Sequence, residues 1–328
     1  MGELTAPILY DYEEKSFIYT IVISMKLVSV VIPTYKRPDM VSRAIKSVLA
    51  QTYSNIEIIV VDDNNPQTEE RFYTEYAMRE FDDVPNVRYI RHDRNKNGSA
   101  ARNTGWRAAC GEYITFLDDD DEISPNKIKA QVDCLESLDE SWGACYTAYH
   151  ILMKNGTVQY SATSQSGDVY LRTLMRTFYM GSGSNVLLRK SVVDEIGGYD
   201  ETFRRNQDIE FMARAFEHYK VAYIAKDLLT IHFEVRAIKR TFEFLDSQSV
   251  NYVEKFSARI NSLSIRDRHR VLSVISLDRA RVACKHKEFM AAKRILKENG
   301  VTILEICKYL LYLINRYKTK KSYGFYLE

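Results

Sequence analysis

The chain has 328 residues, 45% hydrophobic and 27% charged, with 46 Lys+Arg against 44 Asp+Glu. This is globular composition and excludes a disordered or fibrous chain. Five Cys with no CxxC pair argue against a disulfide framework or a Cys-rich zinc site and favour a reducing cytosol. No apolar run reaches the ~18 residues of a membrane span.

The near-neutral total hides an asymmetry. From Arg236 to Glu328 there are 20 Lys+Arg against 9 Asp+Glu, so a basic tail follows an acidic body. The expected organisation is an extension over 1–24, a main domain over 25–235 and a helical basic region over 236–328. Residues 1–24 lack the basic start of a signal peptide, and Met25 stands directly before the first convincing strand.

Residues 27–32 (LVSVVI) read as a buried parallel strand ended by Pro33. Helical spacing follows over 39–49, then a second strand over 56–61 that breaks at Asp62-Asp63-Asn64. A helix is expected over 69–81, a strand over 87–90, a helix over 99–110, and a strand over 113–117 ending in acids. Such alternation implies βαβ units and an α/β fold with a largely parallel sheet covered on both faces. Beyond it, 146–153 and 157–160 flank Lys154-Asn155-Gly156 as a hairpin. Residues 185–188 make a short strand, Gly197-Gly198 a turn and 208–219 a helix.

In an open α/β sheet, ligands bind beyond the carboxyl ends of the strands. Three such ends are polar here: Pro33-Thr34-Tyr35-Lys36-Arg37, Asp62-Asp63-Asn64 and Asp118-Asp119-Asp120-Asp121. Four adjacent carboxylates repel unless water or a cation screens them. Oxygen-only ligands favour Mg²⁺ or Mn²⁺ over zinc. The competing expectation for the acids is a loop or helix cap leading into Ser124-Pro125.

The ordered set VSVVIPTY (28–35), AIKSVLAQT (44–52), IIVVDDN (58–64), GSAARNTG (98–105) and GEYITFLDDDD (111–121) resembles family 2 glycosyltransferases of the GT-A fold. That resemblance covers about 27–235 and implies a Rossmann-like nucleotide-binding domain, with the basic helical region appended. It implies that Pro33, Thr34, Tyr35 and Arg37 border the nucleotide, with Tyr35 beneath the base. Asp63 would accept a hydrogen bond from the ring N–H of uracil. Arg102 and Asn103 would face the cleft, unless Arg102 pairs with Asp62 or Asp63. Asp118-Asp119-Asp120 matches the DXD motif, with Asp120 and Asp118 as metal ligands and Asp118 and Asp119 toward the nucleotide sugar. Metal-bound diphosphate is then the leaving group.

The same resemblance makes Asp208 the general base, with helix capping as its competing role. Gln207 stands where the family carries a Glu. Gly183 and Ser184 fall on the acceptor side, and His232 stands where some relatives place a His near the metal. A lone His is more often simply packed.

The implied activity is inverting transfer from a nucleoside diphosphate sugar, UDP-linked, to a hydroxyl on a glycan, lipid-linked saccharide or protein. The setting is cytoplasmic, in bacterial surface-polysaccharide synthesis. For 301–321 the apolar and Lys-rich pattern fits either an anionic membrane surface or a helical subdomain or homodimer contact. Two other functions compete: nucleotidyl or phosphoryl transfer by the same acids, and nucleic-acid binding through the basic tail. The tail carries no nucleic-acid motif, and neither GxGxxG nor a P-loop is present.

Overall fold

The computed structural model describes residues 25–233 and 240–327. The expected extension over 1–24 and the boundary at 235 lie outside the described residues. The first half runs β1 (Val28–Thr34), α1 (Pro38–Leu49), β2 (Ile56–Asp62), α2 (Glu69–Met78), β3 (Val87–Arg91), α3 (Gly98–Ala108) and β4 (Tyr113–Phe116). β1 pairs in parallel with β2 and β4, and β2 with β3. Strand alternation sends Val28, Val30 and Ile32 into one apolar layer with α1, and Val31, Ile59 and Val61 into another with α3. Both faces are therefore covered.

Pro33 does not end β1, which continues to Thr34 against Asp62. Val31 O accepts from Leu117 N on the β4 side, and Pro33, two residues on, faces that side after β4 has stopped. Its missing N–H therefore costs no ladder bond. On α3, Gly105 lies so close to β1 that an added Cβ would sit 2.2 Å from Val31 Cγ1.

The second half runs β5 (Asp121–Ile123), α4 (Lys127–Glu136), β6 (Trp142–Met153), β7 (Val158–Ser161), α5 (Tyr170–Leu174), β8 (Leu187–Arg189), α6 (Lys190–Ile196), α7 (Gln207–Ala215) and β9 (Lys220–Phe233). The expected hairpin is present as β6 and β7, with Gly156 at φ 78°. The sheet is mixed rather than largely parallel. β8 runs antiparallel to both β4 and β6, and β5 antiparallel to β9. A short apolar run such as 185–188 carries no signal of its direction, which explains the difference. Asp121 opens a strand, so the acids lead into β5 and not into a helix cap.

The basic region forms α8 (Phe242–Lys255), α9 (Ser257–Ser262), α10 (Ile265–Lys285), α11 (Phe289–Glu298), α12 (Ile303–Thr319) and the short β10 (Lys321–Ser322). It is docked on the sheet domain. Tyr252, Phe256, Val271, Tyr309 and Phe325 bury against Leu174, Met175 and Ala213 of α5 and α7. β10 adds to the sheet beside β7, and Tyr149 Oη donates to Ser322 Oγ at 2.9 Å. The packed-subdomain expectation is the one observed. Among the described residues, no helix is long and apolar enough to cross a membrane.

Candidate active site

Three strand ends meet at one rim. Asp63 N donates to Thr34 O at 2.9 Å, tying the end of β2 to the end of β1. Thr34 Oγ1 donates to Asp119 Oδ2 at 2.8 Å, tying β1 to the acids after β4. Tyr35 stands 40% exposed at this rim. The next residue, Lys36, is in the left-handed region at φ 59°, and its N–H is fixed by Asn64 Oδ1 at 2.8 Å.

The four acids do not converge, and each has its own compensation. Asp118 pairs with Arg102 Nη2 at 2.5 Å. Asp119 and Asp120 share Arg37 Nη1, at 2.7 and 2.6 Å. Asp121 accepts from Ser182 and Ser184 hydroxyls at 2.8 and 2.5 Å. Burial pushes Asp119 up to about 6, with Arg37 opposing. Burial, then the Asp118 charge, pushes Asp121 up to about 8.

Asp119, expected at the nucleotide sugar, is 4% exposed and turned inward. Arg37, expected at the nucleotide, is spent on Asp119 and Asp120. Asp118 and Asp120 keep the more open carboxylates, with side chains 29% and 13% exposed. His232 faces Glu122 at 3.4 Å and not these acids, so it is not placed as a metal ligand. Among the described residues, no group of three or more His, Cys, Asp or Glu gathers around a metal-sized space. Asp118 and Asp120 offer oxygen donors, the ligand type that Mg²⁺ and Mn²⁺ take.

Asp63 is 2% exposed and fully engaged. Its oxygens accept from Lys96 N (2.7 Å), Asn97 N (3.0 Å) and Asn95 Nδ2 (2.8 Å), with His92 Nδ1 at 2.7 Å. These contacts hold the 92–97 loop in place. His92 was missed because a single His carries no spacing signal. Asp62 pairs with Arg71 at 3.1 Å, so the expected pairing of Arg102 with Asp62 or Asp63 is not found. Asn103 is buried on Tyr199 N and O and does not face the cleft.

Arg102 links two parts of the site. Besides Asp118, it donates through Nη1 to Gln207 Oε1 at 3.2 Å, so Gln207 serves as an arginine acceptor. Burial opposes its charge most, but Asp118, Tyr199 and Asp208 together offset this and leave the guanidinium raised. Asp208 follows in the first turn of α7, whose cap residue is Asn206 at φ 55°, so Asp208 is not the cap. Burial raises the Asp208 carboxyl, Arg102 draws it back down and Asp118 raises it again. An added Cβ on Gly183 would lie 3.8 Å from Asp208 Cβ, which places that turn against the acid. Asp208 lines two cavities, of about 1030 and 1020 Å³.

Ser184 is buried, and its hydroxyl bridges the Asp118 N–H to Asp121. Lys127, wholly buried, donates to the carbonyls of Ser184 and Asn185 at 3.2 Å each and to Gln131 Oε1 at 2.9 Å. Burial lowers this ammonium to about 7. Ser184 therefore shapes the turn from beneath. A Lys on the fourth residue after Ile123 carries no sign of burial, so sequence reasoning did not find it.

Residues 29–197, more than half of the chain, match the family described as Glycosyl transferase family 2. The chain belongs to that family. An uncharacterized glycosyltransferase of Rickettsia bellii (strain RML369-C) is 32% identical over 211 residues, which are 62% of this chain and 29% of that protein. The chain thus spans under a third of that relative's length. The S. aureus TarS 1–349 crystal structure in complex with UDP-GlcNAc aligns with TM-score 0.56 and 15% identity, over 84% of this chain and 93% of that one. The Pyrobaculum calidifontis mannosyltransferase PcManGT, in complex with GDP-Man and Mn²⁺, aligns with TM-score 0.55 and 16% identity, over 90% and 81%. These likenesses establish the GT-A fold.

Proposed function

We propose that the chain transfers a sugar, with inversion, from a UDP-linked donor to a hydroxyl of a glycan, lipid-linked saccharide or protein. The observation that carries this reading is Asp208, a carboxylate with a raised pKa beside the Arg102–Asp118 pair and at the wall of two cavities. A base tuned upward from the ordinary carboxylate range sits closer to the operating pH. The acceptor hydroxyl gives its proton to Asp208 as its oxygen bonds to the anomeric carbon. The bond from that carbon to the diphosphate oxygen breaks on the opposite face, and its electron pair leaves with the nucleoside diphosphate.

Tyr35, Pro33 and Thr34 form the platform for the base, and Asp63 keeps the neighbouring loop in place. Asp118 and Asp120 would hold Mg²⁺ or Mn²⁺, which when bound supplies positive charge to the leaving diphosphate. Arg102 orients Asp118 through their ion pair. The complexes of TarS and PcManGT with nucleotide sugars support a nucleotide-sugar donor, and PcManGT's Mn²⁺ supports the divalent ion.

Cytoplasmic action at a membrane surface belongs to the same proposal. α12 turns Ile303, Leu304, Leu311 and Tyr317 to solvent, close to Lys308, Lys318 and Lys321 in sequence. Apolar burial with attraction to anionic lipid is the binding mode of interfacial helices.

The test of the reaction is Asp208→Asn. A general base contributes about 10²–10⁴-fold, so kcat falls by that range while UDP affinity, measured by calorimetry, stays within about twofold. Turnover at a near-normal rate removes Asp208 from the mechanism.

A further inference from the structure

We propose that the cavity between the C-terminal helices and the sheet domain is the acceptor site, and that it selects saccharides carrying a phosphate. This rests on the transfer reading above, since it takes Asp208 as the base. The cavity is about 1020 Å³ and is walled by the start of α7, by α10, α12 and the 175–181 turn, with Asp208 in its lining. It is at the upper end of the range of ligand pockets, with room for several sugar units. Most of its cationic lining comes from beyond residue 197, outside the part shared with the family.

Charge decides the ligand class. Arg176, Arg281, Arg316, Lys318 and Lys320 line the cavity, against only two carboxylates, Asp208 and Asp278. Asp278 is already taken by Arg281 Nη2 at 2.6 Å. Cations gathered in a walled space repel one another and focus a field that an anion relieves. A neutral glycan cannot do so, whereas phosphate matches planar guanidinium groups.

The arginines are also pre-arranged. Arg316 Nη1 lies 3.3 Å from Tyr179 Oη and 3.1 Å from Tyr312 Oη, with its guanidinium 4.9 Å from the Tyr179 ring. Arg176 is held in the left-handed region at φ 60°, which an arginine rarely adopts. One of its Nη groups is fixed by Ser249 Oγ at 2.9 Å, while its buried Nε has no hydrogen-bond partner. Strain retained beside a cavity fits a binding role. Tyr179, Tyr312 and Phe325 supply aromatic surface for sugar rings in the same lining.

The phosphate could be the anomeric phosphate of a lipid-diphosphate-linked sugar or a diester within a phosphate-linked polymer. The full chain, saturated with UDP, is titrated with hexose 1-phosphates, with the methyl phosphodiesters of the same sugars, and with the neutral methyl glycosides. At least one phosphorylated series binds ten-fold or more tighter than its neutral counterpart. Preference for the monoester indicates the lipid-linked source, and preference for the diester the polymer. Arg316→Gln, and separately the pair Lys318→Gln with Lys320→Asn, reduce that preference below threefold, with UDP affinity as the check on folding. Asn suits position 320 because Lys320 is itself left-handed, at φ 52°. Equal binding of charged and neutral sugars, binding of neither, or a preference that survives both variants overturns the proposal. A chain that fails to bind UDP contradicts the transfer reading instead, and the saccharide titrations still decide the cavity.

Discussion

Asp208 owes its chemistry to two neighbours of opposite sign. Burial and Asp118 raise its pKa, and Arg102 opposes them. Replacing Arg102 by Met removes the opposing charge, so the Asp208 pKa rises further. A base is lost when protonated, so the acid limb of the kcat–pH profile moves to higher pH in Arg102→Met. An unmoved limb, read on the residual rate, contradicts the coupling. At this scale the sequence was legible for residue type and position: Asp208, Arg102 and Asp118 are brought together as the motif order implied. It was not legible for partners. Asp63 and Asp119 are typical binding residues by motif, yet four donors occupy one and Thr34 with Arg37 occupy the other. Those partners lie 29 to 85 residues away in the chain, and no local pattern reports them.

Elements deliver these residues only if the strand ends are held firm, and Arg71 of α2 does much of that holding. It pairs with buried Asp62 at 3.1 Å and donates to the carbonyls of Asn64 and His92. Arg71→Met leaves Asp62 a buried charge without its cation, which costs about 3–5 kcal/mol. The measurement is the urea midpoint, and a loss below about 1 kcal/mol contradicts this role. Strand and helix positions in the first half were readable because β-branched runs and helical spacing alternate cleanly there. The length of β9 was less so: the strand covers Lys220–Phe233, with bulges in its pairing to β6. Phe289 opens α11 and is 65% exposed, because the chain turns at Lys287, φ 67°.

At the scale of the molecule, the basic tail is part of the architecture. Tyr309, Phe325 and Leu327 are buried in the cluster that joins it to α5 and α7, so truncation after Gly300 would remove core as well as surface. The membrane proposal is better tested on the exposed face alone. Leu304→Ser with Leu311→Ser is expected to abolish salt-sensitive sedimentation with phosphatidylserine vesicles while thermal stability is kept. Wild-type chain that ignores such vesicles at low salt contradicts membrane attachment. The docking of tail on domain was not legible from charge asymmetry, which reports solubility and partners but not packing.

The central claim is that the strand-end acids receive the diphosphate of a nucleotide donor beside Tyr35. Calorimetry of UDP binding with Mn²⁺ and with chelator, in wild type and in Asp120→Asn, tests it most directly. The account predicts at least ten-fold tighter binding with Mn²⁺ in wild type and most of that gain lost in Asp120→Asn. Equal affinity with ion and with chelator would contradict it.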